Sequence, residues 1–270
     1  MAQQTDARSQ AAVGMSDGTV ALAEYAEART RTQTERPMVR AVAEPAWVMS
    51  VRPWSETSLI AELLTSRFGR VPVVVKGARR SYSRYRGLIN AFTPLRVNFA
   101  GRGEVKNLTD ARWIGLPCVP EGDALLTGYY INELVLRLTV REDPMPTLFD
   151  AYGRALSAVC TLTGAELQAA LRNFEILLLE TLGWGQGAKK AILTQGTGLW
   201  RLENGELFPA GQHSEGVTVS HEAACAIISG TVTRTSPLKE IRQVLRSIIG
   251  YYVGPKELAT RTTAAAWNDF

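Results

Sequence analysis

Five cations and two aromatic rings are crowded into residues 76–86, KGARRSYSRYR. Lys76, Arg79, Arg80, Arg84 and Arg86 carry the charge, and Tyr82 and Tyr85 are interleaved among them. Guanidinium and ammonium groups neutralise phosphates and release counterions, while tyrosine rings offer stacking platforms that suit any unpaired base. That combination belongs to a surface for single-stranded nucleic acid; the competing reading is a solvated basic loop. Arg52, Arg70, Arg102 and Lys106 fall at strand ends or turns nearby and extend the same surface.

Groups suited to acid–base, nucleophilic or metal chemistry are scarce. The chain has two histidines, His213 and His221. His221 and Cys225 stand four apart on a predicted helix, but two ligands do not make a metal site. The glycine pairs at 101/103, 185/187 and 196/198 lack the Lys-Ser/Thr and the strand-to-helix setting of a phosphate loop. The chain therefore reads as a non-catalytic protein without metal or cofactor.

Charge is divided unevenly along the 270 residues. Residues 40–118 hold 13 basic and 5 acidic side chains, a net of +8, whereas residues 119–182 hold 4 and 9, a net of −5. Residues 1–39 and 183–270 are nearly balanced, at −1 and +2. Such asymmetry directs the second segment towards a polyanion. No apolar run approaches the roughly 18 residues of a membrane span. The start, MAQQTDARSQ, lacks the pattern of a secretory signal. Three widely spaced cysteines, Cys118, Cys160 and Cys225, fit a reducing compartment without pairing. The location expected is the cytoplasm, in association with the nucleoid.

The elements that must position these groups follow from periodicity. Residues 1–44 have almost no large apolar side chains and read as a disordered arm. From 45 to 119 the signals are those of strands: 47–52, 57–65, 71–76, an alternating Leu95-Arg-Val97-Asn-Phe99, and 104–108 after a turn at Gly101-Arg-Gly103. Five short strands with a basic excess suggest an OB-fold barrel, with a small SH3-like barrel as the alternative by strand count. Residues 120–270 read as a mostly α-helical domain. Its helices run from Asp123, placed as the cap, to before Pro144, then 147–160, 164–182, 220–229 and 237–253. An irregular Gly-rich insertion at 183–216 carries a hairpin around Glu203-Asn-Gly-Glu206. The class is α+β: arm, barrel, helical domain.

Several co-linear segments then carry a specific resemblance. VRPWSETSLIAELL at 51–64, FGRVPVVVKGAR, GLINAFTPLRVNFAGRGEVKNL, GYYINEL, LRNFEILLLETLGWG and the late GPKELATR resemble the RecO family of bacterial recombination mediators over about residues 46–262. The resemblance implies an N-terminal OB-fold before a helical domain. It also implies binding to single- and double-stranded DNA, annealing of complementary strands, and work with RecR. Such proteins engage the acidic C-terminal tail of the single-strand-binding protein SSB, so that RecA can load. Many members carry a four-cysteine zinc site after LETLGWG; residues 183–216 contain no cysteine, so no zinc is expected here.

Within LRNFE, Arg172 lies beside the apolar residues Leu171, Phe174 and Leu178. A guanidinium fork beside an apolar face suits a peptide ending in an aromatic ring and a carboxylate, which makes Arg172 the expected contact for the SSB tail. An intrahelical pair with Glu175 or Gln168 is the alternative. Asn132 and Glu133 are expected to organise the contact between helix and barrel. Two rival functions stand beside the family's: an OB module of RNA metabolism, and an interaction scaffold that binds acidic peptides only.

Overall fold

One long strand organises the N-terminal half. The computed structural model describes residues 37–115, 119–184, 200–209, 217–254 and 257–268. Strand β1 (Val39–Pro53) pairs antiparallel with β2 (Leu59–Thr65) through its second half and with β4 (Pro94–Gly101) through its first. β3 (Gly69–Val75) continues from β2, and β5 (Lys106–Trp113) lies between β3 and β4. The order β1-β2-β3-β5-β4 closes a barrel through a parallel β3–β5 pairing, the OB-fold arrangement. The alternation read at Leu95, Val97 and Phe99 is that of a half-buried strand, since all three are buried and Arg96 is exposed.

The fold starts earlier than residue 45. Val39 to Glu44 contain few large apolar side chains, yet they pair with β4 through the backbone, so the expected arm over 1–44 ends before β1. The rest of that arm, 1–36, lies outside the described residues. The register of β1 slips at Ala41/Glu44 and at Val48/Ser50, and these irregularities bend the strand. Glu44, fully buried near the first slip, accepts from the Arg67 backbone N–H at 2.7 Å and from Arg67 Nε at 2.6 Å.

Six helices follow among the described residues: α1 (Asp123–Leu138), α2 (Pro146–Thr161), α3 (Gly164–Thr181), α4 (His221–Ser229), α5 (Leu238–Val253) and α6 (Ala259–Asn268). Asp123 is the first residue of α1 and not its cap; Gly122 takes the cap position with φ 56°. The hairpin expected at 203–206 joins β6 (Trp200–Glu203) to β7 (Glu206–Pro209). Asn204 and Gly205 both have positive φ, 50° and 78°, as a two-residue hairpin turn requires. β8 (Val217–Val219) pairs on the other side of β6, giving a three-stranded sheet of which two strands lie inside the stretch read as irregular. Residues 185–199 and 210–216 of that stretch lie outside the described residues. No described helix is long and apolar enough to cross a membrane. Cys160 is disulfide-bonded and Cys225 is free, which corrects the reading of three unpaired cysteines.

Barrel and helices share one core. Met49, Leu64 and Phe92 of the barrel pack with Ile131, Leu134 and Tyr152 of α1 and α2. Trp47 meets Tyr152 edge-on at 5.6 Å, and a Cβ at Gly153 would stand 3.2 Å from the Trp47 ring. Asn132, 2% exposed, donates from Nδ2 to the Met49 carbonyl at 2.7 Å and accepts from the Tyr152 hydroxyl at 2.6 Å. Met49 sits at the second slip of β1, so Asn132 supplies the carbonyl's partner there. Glu133 instead accepts from the Ala259 and Thr260 N–H groups and the Thr260 hydroxyl, fixing the start of α6.

Two measurements test this account. Asn132→Ala leaves the Met49 carbonyl and the Tyr152 hydroxyl buried without partners, and should cost about 2–4 kcal/mol in urea unfolding. Burial pushes the Glu133 carboxyl up, but the hydrogen bonds from Thr260 and Ala259, with the Arg137 charge, hold it below its ordinary 4.5. Stability from this carboxylate is therefore present in full above pH 4.5 and lost as pH falls through the lower folded value. Hydrogen exchange at 259–263 should accelerate in that acid window, and Glu133→Gln should show the fast exchange at neutral pH too.

Candidate nucleic-acid interface

The basic loop is folded against the one edge that the barrel leaves open. Pairing of β3 with β5 is confined to Val73–Lys106 and Val74–Asn107. Beyond Asn107 the β5 edge has no strand neighbour on that side, and its Thr109 carbonyl accepts from Arg84 Nη2 at 2.6 Å and from the Tyr85 hydroxyl at 3.3 Å. Successive turns, Gly77–Arg80, Arg80–Ser83, Ser83–Arg86 and Tyr85–Leu88, coil the segment on itself. A short sequence rich in Ser, Gly and Arg closes such turns without strand pairing.

The coil sorts its side chains. Lys76, Arg79, Arg80, Tyr82, Arg84 and Arg86 are exposed, with Tyr82 at 84%. Tyr85 is 7% exposed and packs with Leu88 and Ile89 in the barrel core. The expectation that Tyr85 stacks on bases is therefore corrected: its ring anchors the loop, and the Arg84 guanidinium lies 4.7 Å above it. Arg79 stitches the loop to the β1–β2 connection, its backbone N–H to the Thr57 carbonyl at 3.0 Å and its Nη1 to the Ser55 carbonyl at 2.8 Å. This brings in a residue that the sequence reading passed over. Trp54, 61% exposed, projects from that connection, and a tryptophan among Pro, Ser and Glu in a turn was the available signal.

The outlying cations separate into two kinds. Arg52 is exposed on β1 opposite Ile60, and Arg102 is exposed on the β4–β5 turn. Arg70 and Lys106 are not surface groups. Arg70 reaches Glu62 at 3.2 Å and donates to the Thr139 carbonyl at 2.8 Å. Lys106, 1% exposed, donates to the Gly103 carbonyl at 2.6 Å and pairs with Glu142. Glu62 also takes a two-pronged bond from Arg141, at 2.9 and 3.0 Å. Both cations clamp the barrel to the chain leaving α1, since a buried charge persists only when paired.

Arg172 lies in a cavity of about 220 Å³ in the helical domain. Its Nη2 donates to Glu175 Oε1 at 2.8 Å, so the intrahelical pair exists, and Tyr130 donates to the same oxygen at 2.7 Å. Burial raises the Glu175 carboxyl, against the pull of Arg172 and Tyr130. Burial and Glu175 together push the Tyr130 hydroxyl up, so it stays a donor. Arg172 Nε and Glu175 Oε2 are buried with no hydrogen-bond partner. Arg242 and Arg246 of α5 and Arg261 of α6 complete the lining, with Arg261 5.9 Å above the Tyr130 ring. These three arginines were not legible as a cluster, because they arrive from separate helices; the four-residue spacing of Arg242 and Arg246 was the only trace.

No described group of three or more His, Cys, Asp or Glu side chains is placed to hold a metal. His221 and Cys225 do meet, Nε2 to Sγ at 3.2 Å, while Trp200 Nε1 donates to His221 Nδ1 at 3.4 Å. His213 lies outside the described residues.

Comparison with known proteins agrees with this architecture. The family model "Recombination protein O N terminal" matches residues 38–117, the barrel, and "Recombination protein O C terminal" matches residues 120–187. A DNA repair protein RecO of Aromatoleum aromaticum is 38% identical over 224 residues, covering 81% of this chain and 92% of its own. That of an Azoarcus species is 36% identical over 230 residues, covering 81% and 93%. The Coxiella burnetii protein of the same name is 35% identical over 227 residues, covering 82% and 97%. With both halves matched in order and relatives of this identity aligned along nearly their whole length, the chain belongs to the RecO family of DNA repair proteins.

Proposed function

We propose that this chain is a non-catalytic recombination mediator: it binds single- and double-stranded DNA, anneals complementary strands, and with RecR helps RecA load on SSB-coated DNA. Its place is the cytoplasm, at the nucleoid. The observation that carries the reading is the coil at 76–86. It presents Lys76, Arg79, Arg80, Arg84 and Arg86 with Tyr82 on one exposed ridge, beside Trp54. Cations neutralise the backbone and rings stack on unpaired bases, a chemistry that holds a strand without reading its sequence. Arg52 lies on the same barrel and adds to the field.

The cationic cavity of the helical domain supports the second half of the reading. Arg172, Arg242, Arg246 and Arg261 surround a space next to Leu126 and Leu171. A peptide that ends in an aromatic ring and a carboxylate meets both needs, and the SSB tail is such a peptide. The buried, unpartnered Arg172 Nε is the donor such a carboxylate would satisfy.

Each half has its own test. Changing Lys76, Arg79 and Arg80 together to Ala should weaken single-strand binding at low salt. It should also reduce the slope of log affinity against log salt by about 2, at roughly 0.7 per lost phosphate contact. An unchanged slope places the DNA surface elsewhere. Arg172→Ala strands the buried Glu175 carboxylate, so the exposed Arg246 is tested beside it. Arg246→Ala should lower tail-peptide affinity about tenfold, worth ~1.4 kcal/mol, while bare-strand annealing holds. If both annealing of bare strands and peptide binding fall equally, the two sites are not separate.

A further inference from the structure

The ridge at 76–86 does not end at Arg84. Arg84 Nη1 stands 4.0 Å from Asp110 Oδ1, and Asp110 Oδ2 accepts from Arg112 Nε at 3.2 Å. Arg112 in turn lies directly across the β4–β5 ladder from Arg96. Both are exposed, with the Arg112 side chain at 81%. Like charges placed opposite on neighbouring strands destabilise a sheet. One carboxylate on this face, Asp110, serves Arg84 and Arg112 together, and the partner of Arg96 on its other side is Pro45. Nothing in the packing asks for this pair.

The face also differs from the ridge in what it lacks. Next to the two arginines, on the same side of the ladder, stand Asn98 opposite Asp110 and then Pro45. The ridge has Tyr82 and Trp54 for bases, whereas Arg96, Asn98, Asp110 and Arg112 on this face include no ring; Trp113, 58% exposed, is the next residue of β5 and pairs with the buried Leu95. A backbone whose bases are already paired needs phosphate neutralisation and no stacking.

We propose that the outer face of β4–β5, through Arg96 and Arg112, seats the backbone of the second strand of a duplex, beside a first strand held on the 76–86 ridge. The proposal rests on the ridge as the single-strand site. Asp110 orients Arg84 and Arg112 from the boundary between the two paths, so the two backbones run side by side at the edge of β5. An annealing protein needs such a place, because its product has two backbones and its substrate one.

The test measures binding of a short single strand and of the matching duplex across a salt series, with thermal unfolding of each variant. In Arg96→Ala/Arg112→Ala, single-strand affinity should stay within about twofold. Duplex affinity should fall about tenfold or more, and its salt slope should fall by about 1.8, at roughly 0.9 per phosphate. Arg96→Glu places an acid opposite Arg112; its Tm should hold or rise while duplex binding falls, which a structural role for Arg96 would not give. Unchanged duplex affinity and slope in the double variant would overturn the proposal, as would a lowered Tm in Arg96→Glu. The ridge variant run alongside keeps the two readings apart. If it loses single-strand binding while the β4–β5 variant keeps its duplex affinity, the ridge stands and the second path fails. If the ridge variant keeps its single-strand affinity, the ridge assignment itself fails.

Discussion

A long strand whose ladder slips twice cannot stay flat, and the bends of β1 set much of what surrounds them. The slip at Met49 leaves backbone groups facing an interior where water cannot answer them, at a cost comparable to a lost hydrogen bond. At Met49 the answer comes from Asn132, a buried amide on α1 whose own carbonyl is answered by the Tyr152 hydroxyl. Hydrogen bonding at that site therefore joins barrel, α1 and α2 in one chain of contacts. The apolar burial around it, Met49, Phe92, Ile131 and Leu134, supplies most of the attraction; the amide fixes which register and which helix face are used. A barrel built without that bend would have no reason to carry a helical domain in this position.

Charge at the same junction is used structurally. Glu62 holds Arg70 and Arg141, and Lys106 holds Glu142, so two of the thirteen cations in residues 40–118 are consumed by the fold. Arg67 is spent on Glu44 in the same way. Of those remaining, Lys76, Arg79, Arg80, Arg84, Arg86 and Arg112 lie on β5 and the coil beside it, while Arg102 lines the junction with Arg70 and Lys106. A net charge along a sequence thus overstates the field at any one surface, and the ion pairs decide where the excess emerges. Here it emerges on the side where β5 lacks a strand partner, because the segment that covers that edge is the arginine-rich one.

The barrel and the helices were legible because their signals are local. Alternation at Leu95–Phe99, helical spacing from Leu125 to Leu138, and Asn204-Gly205 between two short strands each report a conformation that neighbouring residues decide. The start of β1 was not, since Val39–Ala43 is held by backbone pairing to β4 and carries no apolar stripe. Nor were the roles of Arg70, Lys106 and Tyr85. A lysine that ends 1% exposed looks the same in sequence as a solvated one, and its partner Glu142 is 36 residues away. Tyr85 lies in a run of turns where no period tells inside from outside. The candidate cavity was found through one of its arginines, Arg172, and the other three come from helices that only the fold brings together.

How the cavity is kept in step with the barrel follows from the pitch of α1. Successive helical residues point about 100° apart, so a short run can address several neighbours at once. Tyr129 meets Phe92 of the barrel at 5.0 Å, and Tyr130 turns into the cavity to hold Glu175. Asn132 reaches back to β1, and Glu133 anchors α6, which carries Arg261 to the cavity mouth. Arg137, one turn on, pairs with Glu133 at 3.4 Å and donates to the Glu257 carbonyl ahead of α6. Five positions within nine residues of α1 therefore tie the barrel, the cavity and the last helix to one rod. A displacement of α1 along its axis would loosen the β1 bend and open the arginine cluster together. The two candidate binding surfaces, opposite in their local surroundings and fed by different parts of the chain, share this single mechanical reference.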